Sequence, residues 1–380
     1  MLLVKNAMLH DAVHEKPFKT DILMDGGKIV KIAEGISCEG AEVLDAEGKG
    51  VFPGFIDAHS HLGTDGYGIG YEGSDCNEMN DPLTPQLRGI DSFNPLDRSV
   101  RMALEGGVTT VGTGPGSANP VGGTFFAVKT CGKRVDDMVV KDPVAMKCAF
   151  GENPKVVYRH NKISARMTTS AMIRELLFKT KEYLAKKEAA GDDLSKKPAF
   201  DFKLESMIPV VKGEIPLKAH AHQANDILSA IRIAREFGLK LTLEHVTEGH
   251  LIVDELAKEG YPCAVGPTMT NASKWELQYK SFEAPVALSN AGLQVSIVTD
   301  APVIPQHYLT LCAGLAVKAG MDPFKALQAI TINPAKHLGI EDRVGSVEVG
   351  KDADLVIMDG CPFESSTKVC AVIVNGVKVV

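Results

Sequence analysis

Positive charge is in deficit in this chain: 41 Lys and Arg face 48 Asp and Glu, giving a formal charge of −7 and a pI near 5.9. That balance excludes a strongly basic nucleic-acid binder. Long apolar runs are missing as well, since no window approaches the roughly 18 residues of a membrane span. The start, Met1 to His10, carries neither a basic segment nor an extended apolar stretch. The expectation is a cytoplasmic protein with no membrane partner. The chain has no Cys-x-x-Cys pair, and its eight cysteines (Cys38, Cys76, Cys131, Cys148, Cys263, Cys312, Cys361 and Cys370) are scattered over its length. They read as reduced thiols in a chain too large to need disulfides. Tryptophan occurs once, at Trp275, whereas glycine occurs 36 times and proline 20 times, which suits a fold with many tight connections. With 44% hydrophobic and 23% charged residues, the composition excludes disorder and leaves an ordinary globular protein of 380 residues.

Residues 1–50 read as short strands, Leu2 to Met8, Thr20 to Met24, Lys28 to Ile32 and Ala41 to Asp45, separated by turns such as Asp25-Gly26-Gly27. The other end repeats that style. Asp354 to Met358 and Cys370 to Val374 are apolar, and Asn375-Gly376 is a two-residue hairpin signal before Val377 to Val380. Neither end can bury a core alone, so one small β-sandwich built from residues 1–50 and 346–380 is expected, with residues 51–345 as the main domain between them. That middle alternates apolar strands with amphipathic helices, the mark of βα units and a parallel sheet. Eight strands can be counted: Val51 to Ala58, Val108 to Gly112, Thr124 to Thr130, Val144 to Phe150, Ile215 to Ala219, Leu241 to Glu244, Tyr261 to Val265 and Gln294 to Thr299. Eight is the number that closes a TIM (β/α)8 barrel. Helices are expected over Asn225 to Phe237 and over Thr169 to about Lys187, the latter inside a long connection that reads as a lid or a dimer contact.

In such a barrel the chemistry sits at the C-terminal strand ends, which gives weight to polar residues that follow an apolar strand. His59 and His61 follow strand one in Phe55-Ile56-Asp57-Ala58-His59-Ser60-His61, and a spacing of two on extended chain puts both imidazoles on one side. His220 follows strand five, His245 strand six and Asp300 strand eight. Two neutral imidazoles on one side are half a site for Zn²⁺ or a similar ion, and two more histidines with a carboxylate complete it.

These residues make the chain resemble the metal-dependent amidohydrolase superfamily, whose pattern is His-x-His, a bridging residue, His, His and Asp on a TIM barrel. The resemblance extends to Gly106-Gly107-Val108-Thr109-Thr110-Val111 and to Gly345-Ser346-Val347-Glu348-Val349-Gly350-Lys351-Asp352-Ala353-Asp354-Leu355-Val356. Within it the sequence is similar to the imidazolonepropionase-related and prolidase-like branch. The resemblance implies one or two divalent ions per chain, zinc first, and a bridge from strand four. Lys147, as a carboxylated lysine, and Glu152, as a carboxylate, both qualify. A shared anion is wanted there because two nearby cations repel each other. Asp300 is expected to move the proton from the attacking water to the leaving nitrogen.

Around this set, His222 is an alternative to His220 as a ligand, or a substrate contact. Gln223, His250, His307 and Arg159 are further candidates for touching substrate, with Arg166 a second candidate clamp for a carboxylate. His10, His14 and His337 receive no role. The expected activity is hydrolysis of an amide, peptide or cyclic amide bond in a small molecule by a homo-oligomer. Deamination of a heterocycle is the alternative, disfavoured because Gln223 stands where such relatives carry a proton-donating glutamate. A non-catalytic scaffold on the same fold is disfavoured because no ligand is missing.

Overall fold

The computed structural model describes residues 1–380 apart from Ile69 and Asn161. Its strands form two sheets. The first combines both chain ends: β1 (Leu2–Leu9), β2 (Phe18–Asp25), β3 (Lys28–Ala33), β4 (Glu42–Asp45) and β5 (Gly50–Pro53) are joined by β14 (Leu355–Met358), β15 (Val369–Val374) and β16 (Val377–Lys378). The order is β16-β15-β14-β5-β1-β2-β3, with β4 against β1, so β14 lies antiparallel to β5 in the middle of the sheet. Val4, Leu9, Ile22, Ile29, Leu355 and Ile373 fill its core, which neither end could build alone.

The second sheet is the barrel: β6 (Phe55–Ser60), β7 (Val108–Thr113), β8 (Val121–Lys129), β9 (Val139–Ala149), β10 (Leu217–Ala221), β11 (Leu241–His245), β12 (Cys263–Val265) and β13 (Val295–Ile297) are neighbours in chain order. Outward-facing Met146, Cys148, Leu217, Ala219, Leu241 and Leu243 pack under the helix Ala224–Phe237, whose Ile227, Ile231 and Ala234 face them. The helix Arg166–Ala190 lays Ile173, Leu176 and Leu177 on the same core, alongside Met207 and Val210. The two helices expected from periodicity therefore exist, each slightly longer than expected.

Two features depart from the sequence reading. The expected first strand is split at Gly54: β5 belongs to the terminal sheet and β6 to the barrel. A Cβ on Gly54 would sit 2.1 Å from Thr109 Oγ1, so only glycine lets the chain cross between the sheets there. The third barrel strand is also reversed, for β8 runs antiparallel to both β7 and β9. Only a single helical turn, Val135–Met138, lies in either connection, too short for a crossover, and without one a strand returns antiparallel. The barrel is otherwise a parallel (β/α)8 type.

Its seam, between β13 and β6, is closed by other groups. Ile297 N–H donates to Ala329 O at 2.9 Å and Ile56 N–H to Ile330 O at 2.8 Å, so residues 329–330 fill the gap low in the barrel. Higher up, the buried Asp57 carboxylate accepts from the backbone N–H groups of His59 and Thr299, from Thr299 Oγ1 and from Gln306 Nε2, at 2.6–3.0 Å. Burial raises the Asp57 carboxyl to about 7 even so. These bonds fix the ends of β6 and β13 side by side.

Candidate metal centre

Alternation along the strands decides which side chains enter the barrel. On β6 and just beyond it Asp57, His59 and His61 share the inner face, and on β10 and just beyond it Lys218, His220 and His222 do the same. Lys147 takes the corresponding place on β9. Strict alternation on β11 puts Thr242 and Glu244 inside and would send His245 out toward the helices. A left-handed φ of +74° at His245 turns it into the mouth instead, and Asp300 has a φ of +54° after β13. Non-glycine residues in that region carry strain of order 1–3 kcal/mol, which persists where the surroundings hold them and is concentrated at functional sites.

Each imidazole is oriented through Nδ1. His59 donates to Glu244 Oε2 at 2.8 Å, His61 to the carbonyl of Gly114 at 2.8 Å and His245 to the carbonyl of Gly266 at 2.7 Å. Those partners only accept, so a neutral ring presents its lone pair at Nε2. His220 and His222 set Nδ1 on the hydroxyls of Ser117 (2.9 Å) and Thr247 (2.7 Å). The Nε2 atoms then converge. That of His59 lies 3.0 Å from Lys147 Nζ, and Asp300 Oδ1 is 3.3 Å from His61 Nε2 and 3.7 Å from His59 Nε2. His245 Nε2 is buried and finds no hydrogen-bond partner among the described residues.

Burial keeps these rings neutral: it holds His59, His220 and His222 well below the ordinary imidazole value and pushes His245 to about 4. Burial alone would raise the Asp300 carboxyl, but His245, His61 and His59 outweigh it and hold Asp300 below the usual carboxylate range. Lys147 is fully buried, which brings its amine down to about 8 against the pull of Asp300. Two groups of donors lie within 4.8 Å of one another, His59 with His245 and Asp300, and His220 with His222 and His245. Neutral imidazoles with a carboxylate are the donor set of zinc-like ions. The orphaned Nε2 of His245 is where such an ion fits.

Beneath the mouth lies a layer that sequence reasoning missed. Glu244 Oε2 also accepts from Lys218 Nζ at 2.7 Å, and Oε1 accepts from His337 Nε2 at 2.8 Å and Thr242 Oγ1 at 2.7 Å. His337, expected to have no part in the site, is thus buried against the carboxylate that orients His59. Its place on the helix Ile332–Leu338, remote in sequence from every strand end, gave no hint of this. Glu276, on the loop after β12, is also buried and was not anticipated. Its Oε1 lies 3.7 Å from Nε2 of both His220 and His222 and 2.6 Å from Lys274 Nζ.

The remaining candidates are spread around the rim. Glu152 does not face the Lys147–His59 pair: its carboxylate accepts from the backbone N–H of Glu276 at 3.2 Å, and its own N–H donates to Glu276 Oε2 at 2.8 Å. Gln223 precedes the helix Ala224–Phe237 and accepts from Arg166, whose Nε also bonds both oxygens of Asp226 at 2.9 and 3.1 Å. Arg166 is therefore tied down rather than free to clamp a ligand. Arg159 is exposed and donates to its neighbour His160. His250 is half-buried in the turn after β11. His307 lines a cavity of about 230 Å³ with Leu62, Met102, Ala301 and Pro302, whose members Leu62 and Ala301 are the chain neighbours of His61 and Asp300.

The profile described as the amidohydrolase family matches residues 51–379. Among curated relatives, amidohydrolase tasK of Hapsidospora irregularis is 29% identical over 373 residues, a match that takes in 90% of this chain and only 38% of that protein. Imidazolonepropionase of Thermoplasma volcanium is 25% identical over 369 residues, covering 89% of this chain and 83% of that one. A crystal structure of an amidohydrolase from Thermotoga maritima MSB8 superposes with a TM-score of 0.97 at 44% identity, over 100% of both chains.

Proposed function

The chain belongs to the amidohydrolase family, and from that premise we propose that it is a metal-dependent hydrolase of amide, peptide or cyclic amide C–N bonds. One observation carries the reading: buried neutral imidazoles and an ionised Asp300 aim lone pairs at a common point, an arrangement that repels itself unless a cation lies within it. His59, His61, Asp300, His220 and His245 hold the metal. Lys147, with its amine beside His59, is the bridging candidate the reading keeps, as a carbamate. Glu152 is set aside because its carboxylate is committed to the Glu276 backbone.

A divalent ion held by these residues would lower the pKa of a water toward about 7 and act as a Lewis acid toward a carbonyl. Asp300, an ionised carboxylate beside His61, is the group that would accept a proton from the attacking water and pass it to the leaving nitrogen. His250 and His307 are candidates for touching substrate, with His222, Gln223 and Arg159 as further candidates. Deamination is the weaker reading, for Gln223 is an amide engaged by Arg166 and offers no acidic proton.

Similarity to imidazolonepropionase supports a place beside the imidazolonepropionase-related and prolidase-like branch. The test is a screen of the metal-loaded protein against N-acyl amino acids, dipeptides and cyclic amides, with a parallel panel of amino-heterocycles followed by ammonia release. Turnover in the first panel is expected. Turnover confined to the second would replace this reading with the deaminase.

A further inference from the structure

More donors converge on the mouth than the family pattern uses. The pattern takes one histidine from β10, yet His220 and His222 both face inward, and both set Nδ1 on a hydroxyl that can accept, which turns Nε2 toward the mouth, where that of His220 meets only Asn153 Nδ2 at a long 3.5 Å. Nε2 of His245 is buried beside them and has no hydrogen-bond partner among the described residues. On the opposite side, Glu276 is completely buried, and its Oε1 is 3.7 Å from Nε2 of each of His220 and His222.

The Glu276 carboxylate is fixed from behind. The backbone N–H of Glu152 donates to Oε2 at 2.8 Å, and Lys274 Nζ, itself held by Asn153 Oδ1 at 2.8 Å, reaches Oε1 at 2.6 Å. Gly151 belongs to the same device, since a Cβ there would come within 2.5 Å of Glu276 Oε2. Ligating carboxylates characteristically carry such outer hydrogen bonds, and each oxygen has a second lone pair for a metal. Donors held about 2 Å from a tetrahedral ion lie about 3.3 Å apart. The 3.7 Å from Glu276 to His220 and to His222 therefore needs to close by only a few tenths of an ångström, while Glu276 stands outside the 4.8 Å group that His220 and His222 form with His245 and has further to move toward that ring.

We propose that His220, His222, His245 and Glu276 form a complete three-histidine, one-carboxylate seat for a divalent transition metal, distinct from the seat of His59, His61 and Asp300 and independent of Lys147. The proposal rests on the metal-hydrolase reading above and changes its ligand set, since His222 and Glu276 become ligands and Lys147 no longer has to bridge. A lysine carbamate then serves the first ion and is not required for the second.

The test is metal content per folded chain, read by elemental analysis and by the visible spectrum of the Co²⁺-loaded protein. Wild type should bind two ions. Glu276→Gln, which keeps the shape of the side chain, and His222→Ala should each bring the count to one, and Lys147→Ala should leave the second ion and its cobalt spectrum in place. The double variant His59→Ala/His61→Ala should still hold one ion, lost when Glu276→Gln is added. The inference is overturned if Glu276→Gln and His222→Ala keep both ions at wild-type affinity, or if wild type holds a single ion unaffected by either. Those results leave the hydrolase reading intact. A wild type that binds no metal overturns both.

Discussion

Glu244 holds four partners with two oxygens, and two of them matter in different ways: Nδ1 of His59 and the ammonium of Lys218. Glu244→Gln removes the anion and leaves Lys218 charged and buried, which costs about 3–5 kcal/mol by the usual penalty for breaking a buried pair. The same change loosens His59 and should weaken metal binding about 10–100-fold. Adding Lys218→Met should restore much of the stability in denaturant melts and none of the affinity in metal titrations. Equal recovery of both would mean that Glu244 acts only on stability. Asp300→Asn isolates the chemical step: the amide cannot take a proton, so kcat should fall about 10²–10⁴-fold while part of the metal content is retained. A near-normal kcat would remove Asp300 from proton transfer.

The buried imidazoles also set a pH dependence. For His245 the unfolded value is 6.5 and the folded value about 4, lowered chiefly by burial. Above pH 6.5 neither state holds the proton. Between 6.5 and 4 the unfolded chain binds it and the folded one does not, so stability falls as pH falls, by about 3 kcal/mol across that window. His59, His220 and His222 add in the same direction. Thermal melts of the metal-free protein should show Tm dropping from pH 7 to pH 5, and a flat profile would contradict the neutral-imidazole picture. At this scale the sequence made the ligand types legible, because histidines at i and i+2 after apolar strands need only the period of a strand. Glu244 stayed hidden because it adjoins His245, and only the left-handed turn at His245 lets both point inward. Glu276 lies on a loop with no periodicity to reveal it.

Among the elements, every terminal strand except β5 was readable from alternation and turn signals, and the pairing of the two ends followed from the small apolar surface of each. The structure places β14 between β5 and β15, at the centre of the shared sheet. Our proposal that residues 1–50 and 346–380 form one unit has a direct check. Truncation after Gly345 should strip the core around Val4, Leu9, Val51 and Ile22 of Leu355, Ile357 and Ile373, leaving the protein insoluble. A soluble, active truncation would show that the ends are independent. The reversal of β8 was not legible, since an apolar run has no direction and only the missing crossover helices distinguish a hairpin from a βα unit. The split of the first strand at Gly54 was hidden in the same way, because Val51 to Ala58 is continuously apolar enough to read as one strand.

Over the whole molecule, barrel and terminal sheet are pinned together by a buried knot of charge. Lys129, on β8, bonds Asp354 and lies 3.2 Å from Asp352, which also takes Lys28 at 2.7 Å and Arg343 at 2.8 Å. Two of these pairs, Lys129–Asp354 and Lys28–Asp352, join residues more than 200 positions apart in the chain. No described helix is long and apolar enough to cross a membrane. The central claim is that a bound divalent ion performs C–N bond hydrolysis at this mouth. It is tested most directly by stripping the protein of metal, titrating Zn²⁺ back and following turnover of the best amide, peptide or cyclic amide substrate together with bound ion. The account predicts no turnover in the stripped protein and recovery in step with occupancy, with His61→Ala failing in both. Undiminished turnover by the stripped protein, or full occupancy with no cleavage of any such bond, would contradict it.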